Sequence, residues 1–265
     1  MTNAWRSLAA LAALPDAAME PVWTWREGGV PLQVRDGLYH ALESEQAALV
    51  EAAQGPRQAE VAAILDLANR ALGDLLGLCA GLDDEVIDRE PAPGEWPLRE
   101  VLRHVLEVEL SYRANTVYAL TRAEAEPLET PAARRARPED VDARGTVDDV
   151  LGRIAAARSE TDGALIELVE ATAASGLDPY RRPTLWARYA VDVRFRLHRF
   201  ASHLVEHTVQ CEKALHALGL DPGEARQIVR AIGATRGAHQ ARTAAPRLLD
   251  LDREIEALAT AAGAA

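Results

Sequence analysis

Apolar residues between 57 and 80 recur at Val61, Ile64, Leu65, Ala68, Leu72, Leu75, Leu76 and Cys79, three or four positions apart. That spacing gathers them on one face of an α-helix but splits them between the two faces of a strand, so only a helix buries them together. Comparable stripes run from near Asp36 to Ala53, from Pro97 to about Leu120, from Thr146 to about Ala173 and from about 185 to 218. No alternation of period two is sustained. Ala, Leu, Arg and Glu dominate, whereas Phe, Tyr, Ile and Thr are scarce, which favours helix by intrinsic propensity.

Punctuation supports these limits. Gly81 and Gly219 stand where stripes stop, Gln54-Gly55-Pro56 ends the earlier one, and Pro97 suits a first helical turn, where its missing donor costs nothing. Thr146-Val147-Asp148-Asp149 is a capping arrangement, and Asp221-Pro222-Gly223-Glu224 begins a further helix, with a shorter one after 240. The segment 121 to 145, rich in Pro, Arg and Glu, is a long exposed connection. The expected architecture is all-α: a four-helix bundle over residues 57–220, an N-terminal arm and helix over 1–56, and a helical extension over 221–265. Residues 1–35, with Pro15, Pro21, Gly28, Gly29, Pro31, Trp5, Trp23 and Trp25, are expected to be an irregular arm packed on the rest.

A formal charge of −12, with no basic block longer than Arg134-Arg135-Ala136-Arg137, argues against a nucleic-acid partner. Two cysteines, Cys79 and Cys211, are too few for a disulfide framework and fit a reducing cytoplasm. The N-terminal stretch "WRSLAALAAL" is too short to span a membrane and is taken as an amphipathic segment, not a targeting signal. The excess of Arg over a single Lys, together with abundant Ala, suggests a GC-rich bacterial genome.

Three of the seven histidines fall within "LHRFASHLVEH", residues 197–207. At about 100° per residue, His207 lies roughly 40° from His203, and both flank the apolar stripe of Val193, Leu197, Phe200, Leu204, Cys211 and Leu215. His198 and His216 lie far from that stripe. The i,i+4 pair can converge on one cation, and His104, at the edge of its own stripe in "LREVLRHVLEVELSY", is the candidate third ligand. Three imidazoles from two helices leave coordination positions open, as a reactive zinc-like or nickel-like centre requires. Histidines beside an apolar stripe also occur as hydrogen-bonded core residues, so spacing alone leaves both readings standing.

Trp96 ahead of "LREVLRHVLEVE", and "RFASHLVEHTVQCEKALHALG" with its histidine pair, resemble the DinB-like (YfiT-like) superfamily of small bacterial four-helix proteins over about residues 58 to 220. "WTWREGGVPLQVRDGLYHALESE" resembles an N-terminal extension of some longer relatives. The resemblance implies an up, down, down, up bundle, often dimeric, with a divalent metal on His104, His203 and His207. It also implies either a low-molecular-weight thiol cosubstrate such as mycothiol or bacillithiol, used in isomerisation or S-transfer, or a hydrolase.

The expected function is therefore a metal-dependent enzyme that activates a thiol or water against a small electrophile. The alternative is a non-catalytic or metal-free interaction bundle. Glu206 and Arg196 are the catalytic candidates. Glu100 and Glu107 flank His104, and Ser111, Asn115, Asp192 and Gln210 share faces with the histidines as candidate channel residues. Cys211 is taken as a core residue, and His40, His198, His216 and His239 as surface or extension residues.

Overall fold

A computed structural model describes residues 3–23, 31–54, 59–186 and 189–263. The stripe that begins at Val61 forms helix α3 (Glu60–Cys79), after α1 (Asn3–Ala12) and α2 (Val34–Ala53). A short turn, α4 (Asp84–Ile87), leads to α5 (Leu98–Thr121), α6 (Val147–Ala174) and α7 (Val193–Ala217), and the chain closes with α8 (Glu224–His239) and α9 (Ala245–Ala261). The structure is 71% helical, so the all-α expectation holds. Among the described residues no helix is long and apolar enough to cross a membrane.

Helices α3, α5, α6 and α7 enclose one hydrophobic core, with α3 and α5 each packing on both α6 and α7. Side-chain pairs fix the directions. Glu60 meets Arg194 at 2.7 Å where α3 and α7 begin, and Cys79 faces Cys211 towards their ends, so these two run parallel. Arg99 donates to Gly145 O at 2.9 Å and Arg113 pairs with Glu160 at 2.7 Å, so α5 and α6 are also parallel. His104 lies beside His207 while Tyr112 lies beside Phe200, which makes α5 antiparallel to α7. The order is up, down, down, up.

The helix limits follow the local chemistry in most places. Thr146 Oγ1 accepts from Asp149 N at 3.2 Å while Asp149 Oδ2 accepts from Thr146 N at 2.9 Å, closing the capping box that opens α6. Gly81 follows α3 at φ 66°, a left-handed conformation that favours glycine. Segment 122–145 is irregular apart from two short 3-10 turns.

Four expectations are corrected. The last bundle helix does not begin near 185. Strands β3 (Pro183–Trp186) and β4 (Tyr189–Asp192) form an antiparallel hairpin first, and α7 starts only where Asp192 Oδ1 accepts from Phe195 N at 2.9 Å. Asp192 is thus the cap of α7. Pro97 is the residue before α5 and not inside its first turn. Helix α8 is capped from a distance: Asp16 Oδ1 accepts from Glu224 N at 2.9 Å, whereas Asp221 bonds His216 Nδ1 at 2.8 Å. The arm is not wholly irregular, because α1 buries Leu8, Ala9, Leu11 and Ala12, and β1 (Val22–Trp23) pairs antiparallel with β2 (Leu32–Gln33). Trp25, Gly28, Gly29, Gly55 and Pro56 lie outside the described residues.

The two ends of the chain, α1 and α2 with α8 and α9, share a second apolar cluster that includes Leu8, Leu11, Met19, Leu38, Ile228, Ile232, Ile255 and Leu258. Inside this group Glu45 is fully buried between Arg236, at 2.8 Å, and His239 Nε2, at 2.7 Å, and Arg236 also reaches Asp252. His239 is therefore an interior residue of the extension. The network joins α2, α8 and α9, and the cost of desolvating its charges offsets much of their attraction.

Helix α8 fastens this group to the bundle by lying directly on α3. A Cβ on Gly233 would stand 2.5 Å from Gly73 O, and one on Gly77 would stand 2.7 Å from Arg230 Cα. We predict that Gly73→Ala lowers stability by about 1–3 kcal/mol, because backbone must move to admit the methyl. Gly163→Ala in α6, where the added carbon meets nothing within 4 Å, should raise stability by about 0.5–1 kcal/mol. Urea unfolding of the two variants checks both signs.

Candidate metal centre

The antiparallel contact of α5 with α7 brings His104 against the pair His203 and His207. Ring centroids of His104 stand 5.4 Å from His203 and 4.9 Å from His207, and the pair itself is 4.2 Å apart. One donor atom from each of the three lies within 4.8 Å of the others, the cluster of metal-ligating type found among the described residues. Both members of the pair are buried, while the His104 side chain keeps 30% exposure, so the group opens to solvent on the α5 side. Trp96 stands edge-on to His104 at 5.5 Å.

Hydrogen bonding sets the tautomer of one ring of the cluster. Gln210 Oε1 lies 2.8 Å from His207 Nδ1 and can only accept, so Nδ1 carries the proton and Nε2 presents a lone pair. That Nε2 is 2.9 Å from His203 Nε2. Zn–N bonds of about 2.0–2.1 Å put ligand nitrogens roughly 3.3 Å apart, so the pair already has nearly the spacing that one ion requires.

Electrostatics favour neutral imidazoles. Burial, with His207 and His104 close by, pushes His203 down to about 3, and burial also lowers His104. Neutral rings at His203 and His104 suit a divalent cation, since neither has an imidazolium proton to lose near neutral pH. Tyr112 lies 5.5 Å from both His203 and Phe200, and burial raises its phenol, which stays protonated.

The other candidates separate. Arg196 is buried at the wall of a cavity of about 340 Å³ that Glu107, Ser111 and Asn115 also line. Glu206 is turned to solvent, 63% exposed and 3.7 Å from Arg199, and Glu100 is occupied by Arg103 at 2.8 Å. Glu107 Oε2 is the carboxylate beside the cluster, 3.8 Å from His104 Nδ1. Gln210 holds His207 and does not line the cavity. Cys211 is buried with Cys79, as a core residue should be.

A network that the sequence reading passed over lies one layer deeper. Buried Arg158 pairs with Glu109 at 3.1 Å and Asp162 at 2.8 Å, and its guanidinium stands 4.4 Å above the Phe200 ring. Phe200 in turn packs against Tyr112. The four-residue spacing of Arg158 and Asp162 was visible, but their burial depends on α5 supplying Glu109.

The sequence model of the DinB superfamily matches residues 67–211. The chain belongs to the DinB superfamily. The matched region holds all three histidines, whereas α1, α2, α8 and α9 lie outside it. No curated protein and no solved structure gives a match.

Two outcomes are expected of this DinB superfamily member. Gln210→Ala should weaken divalent-metal affinity about 10–100-fold by releasing His207, as measured by competition against a chromophoric chelator. The unfolded chain takes up a proton at His203 near its ordinary value of 6.5, but the fold refuses it until about 3. The metal-free protein should therefore lose stability progressively as pH falls through that window. Urea midpoints of wild type and His203→Gln should diverge in slope there.

Proposed function

We propose that the chain is a metal-dependent enzyme in which His104, His203 and His207 hold a divalent ion, zinc or nickel, that activates a low-molecular-weight thiol or water against a small electrophile. The observation that carries the reading is the convergence of three imidazoles from two helices on one partly open point, with burial lowering the pKa of His203 and His104. An ion held there lowers the pKa of a thiol or water and polarises a carbonyl.

The chain's own groups supply the rest. Gln210 holds the His207 ring in the ligating tautomer. Glu107, which touches His104 and lines the cavity, is placed to hold a proton released at the open side. Tyr112 and Phe200 wall off water on the core side of His203. The cavity beside the cluster supports a small-molecule substrate, and an S-transferase, an isomerase and a hydrolase remain the reaction types considered. Mycothiol and bacillithiol are the thiols proposed by family likeness.

One observation favours a second reading, a metal-free interaction bundle: His203 and His207 can satisfy each other by the 2.9 Å Nε2 contact when a proton sits between them. Metal content separates the two. Untagged protein reconstituted with Zn²⁺ or Ni²⁺ should hold one equivalent after dialysis, and His104→Ala or His203→Ala should each lower affinity by at least about tenfold. Less than stoichiometric metal in wild type, or unchanged content in both variants, selects the second reading.

A further inference from the structure

Arg196 carries a charge that the fold does not neutralise. It is 6% exposed, and burial lowers its pKa, yet a guanidinium stays protonated at neutral pH. Its Nε donates to Thr184 Oγ1 at 3.2 Å and its Nη2 donates to Leu185 O, both neutral acceptors on β3. Neither bond uses Nη1. Among the described residues no carboxylate pairs with it. An interior cation without a counter-charge is expensive, and side chains of this kind are normally paired.

The other charges in the cavity wall are already matched. Arg135 pairs with Glu129 at 2.6 Å, Arg137 with Asp140 at 2.9 Å, and Glu107, at 3.3 Å, shares Arg103 with Glu100. Among the described lining residues Arg196 is therefore the charged side chain without an ion-pair partner, with the amide of Asn115 and the hydroxyl of Ser111 lining the same space. A single guanidinium with one unused nitrogen fits a monoanion, and a phosphate dianion would call for more donors.

The position of Arg196 relates the cavity to the metal centre. Arg196 precedes His203 by seven residues on α7, and Ser111 follows His104 by seven on α5. Because the helices are antiparallel, both steps lead the same way, about 10 Å along the bundle.

We propose that the cavity is a carboxylate-binding subsite in which Arg196 holds the anionic end of a small organic acid whose other end reaches His104, His203 and His207. The reach to the histidines rests on the metal-centre reading, whereas the capture of the carboxylate does not. Arg196 is on this account a binding and specificity residue. The class of molecule is a small organic acid that carries its reactive group several carbons from the carboxylate.

Calorimetry on the full chain tests the two parts separately. With metal-free protein, hexanoate should bind at least about tenfold more tightly than hexanol, the strength of one charge-assisted contact. Arg196→Gln should remove that difference. Since Arg196 also anchors the β3–β4 hairpin, a second variant is needed, and Ser111→Phe, which fills the cavity and leaves the anchor in place, should abolish hexanoate binding. With Zn²⁺ added, ω-mercaptohexanoate should outbind ω-mercaptohexanol by the same factor and more tightly than hexanoate does. Equal affinity for hexanoate and hexanol, or hexanoate binding that survives both variants, overturns the subsite. A carboxylate preference that persists while Zn²⁺ fails to bind overturns the metal reading and leaves the subsite standing without its reach.

Discussion

The antiparallel contact between α5 and α7 is the constraint on which the candidate site depends. It places residue 104 opposite 207 and residue 112 opposite 200, so a single helix pairing creates the histidine cluster and stacks Tyr112 behind it. The same pairing sets Ser111 and Arg196 of the cavity wall two turns away from that cluster, because positions that follow 104 on one helix meet positions that precede 203 on the other. A change in the direction of either helix would separate all of these residues without altering any one of them.

Around that pair, buried polar groups are held in place by long-range partners. Arg158 is held between Glu109 and Asp162 and stacks on Phe200, which ties the α6 helix to the α5–α7 pair from behind. The terminal segments form a second apolar group around Glu45, Arg236 and His239, and they reach the bundle through glycines that let α8 lie on α3. The DinB superfamily match ends at Cys211, so this second group is built from sequence outside the shared region.

Much of the fold was legible because helix formation is local. The three- and four-residue spacing around Leu65, the capping box at Thr146 and the stop at Gly81 depend on neighbours within one turn, and they appear where expected. The hairpin before α7 was missed because two four-residue strands interrupt a pattern whose apolar residues continue into the helix. Asp16 could not be recognised as the cap of α8, since its partner, Glu224, is 208 residues away.

The sequence by itself determined that the chain is helical, where most of its helices stop, and that His203 and His207 share a face, because those properties depend on backbone geometry within a few residues. Only the tertiary structure decided that His104 joins them, that His239 is interior and that Arg196 is buried with no carboxylate partner among the described residues. Those outcomes depend on which helices are neighbours and in which direction they run, and contacts between distant segments set both.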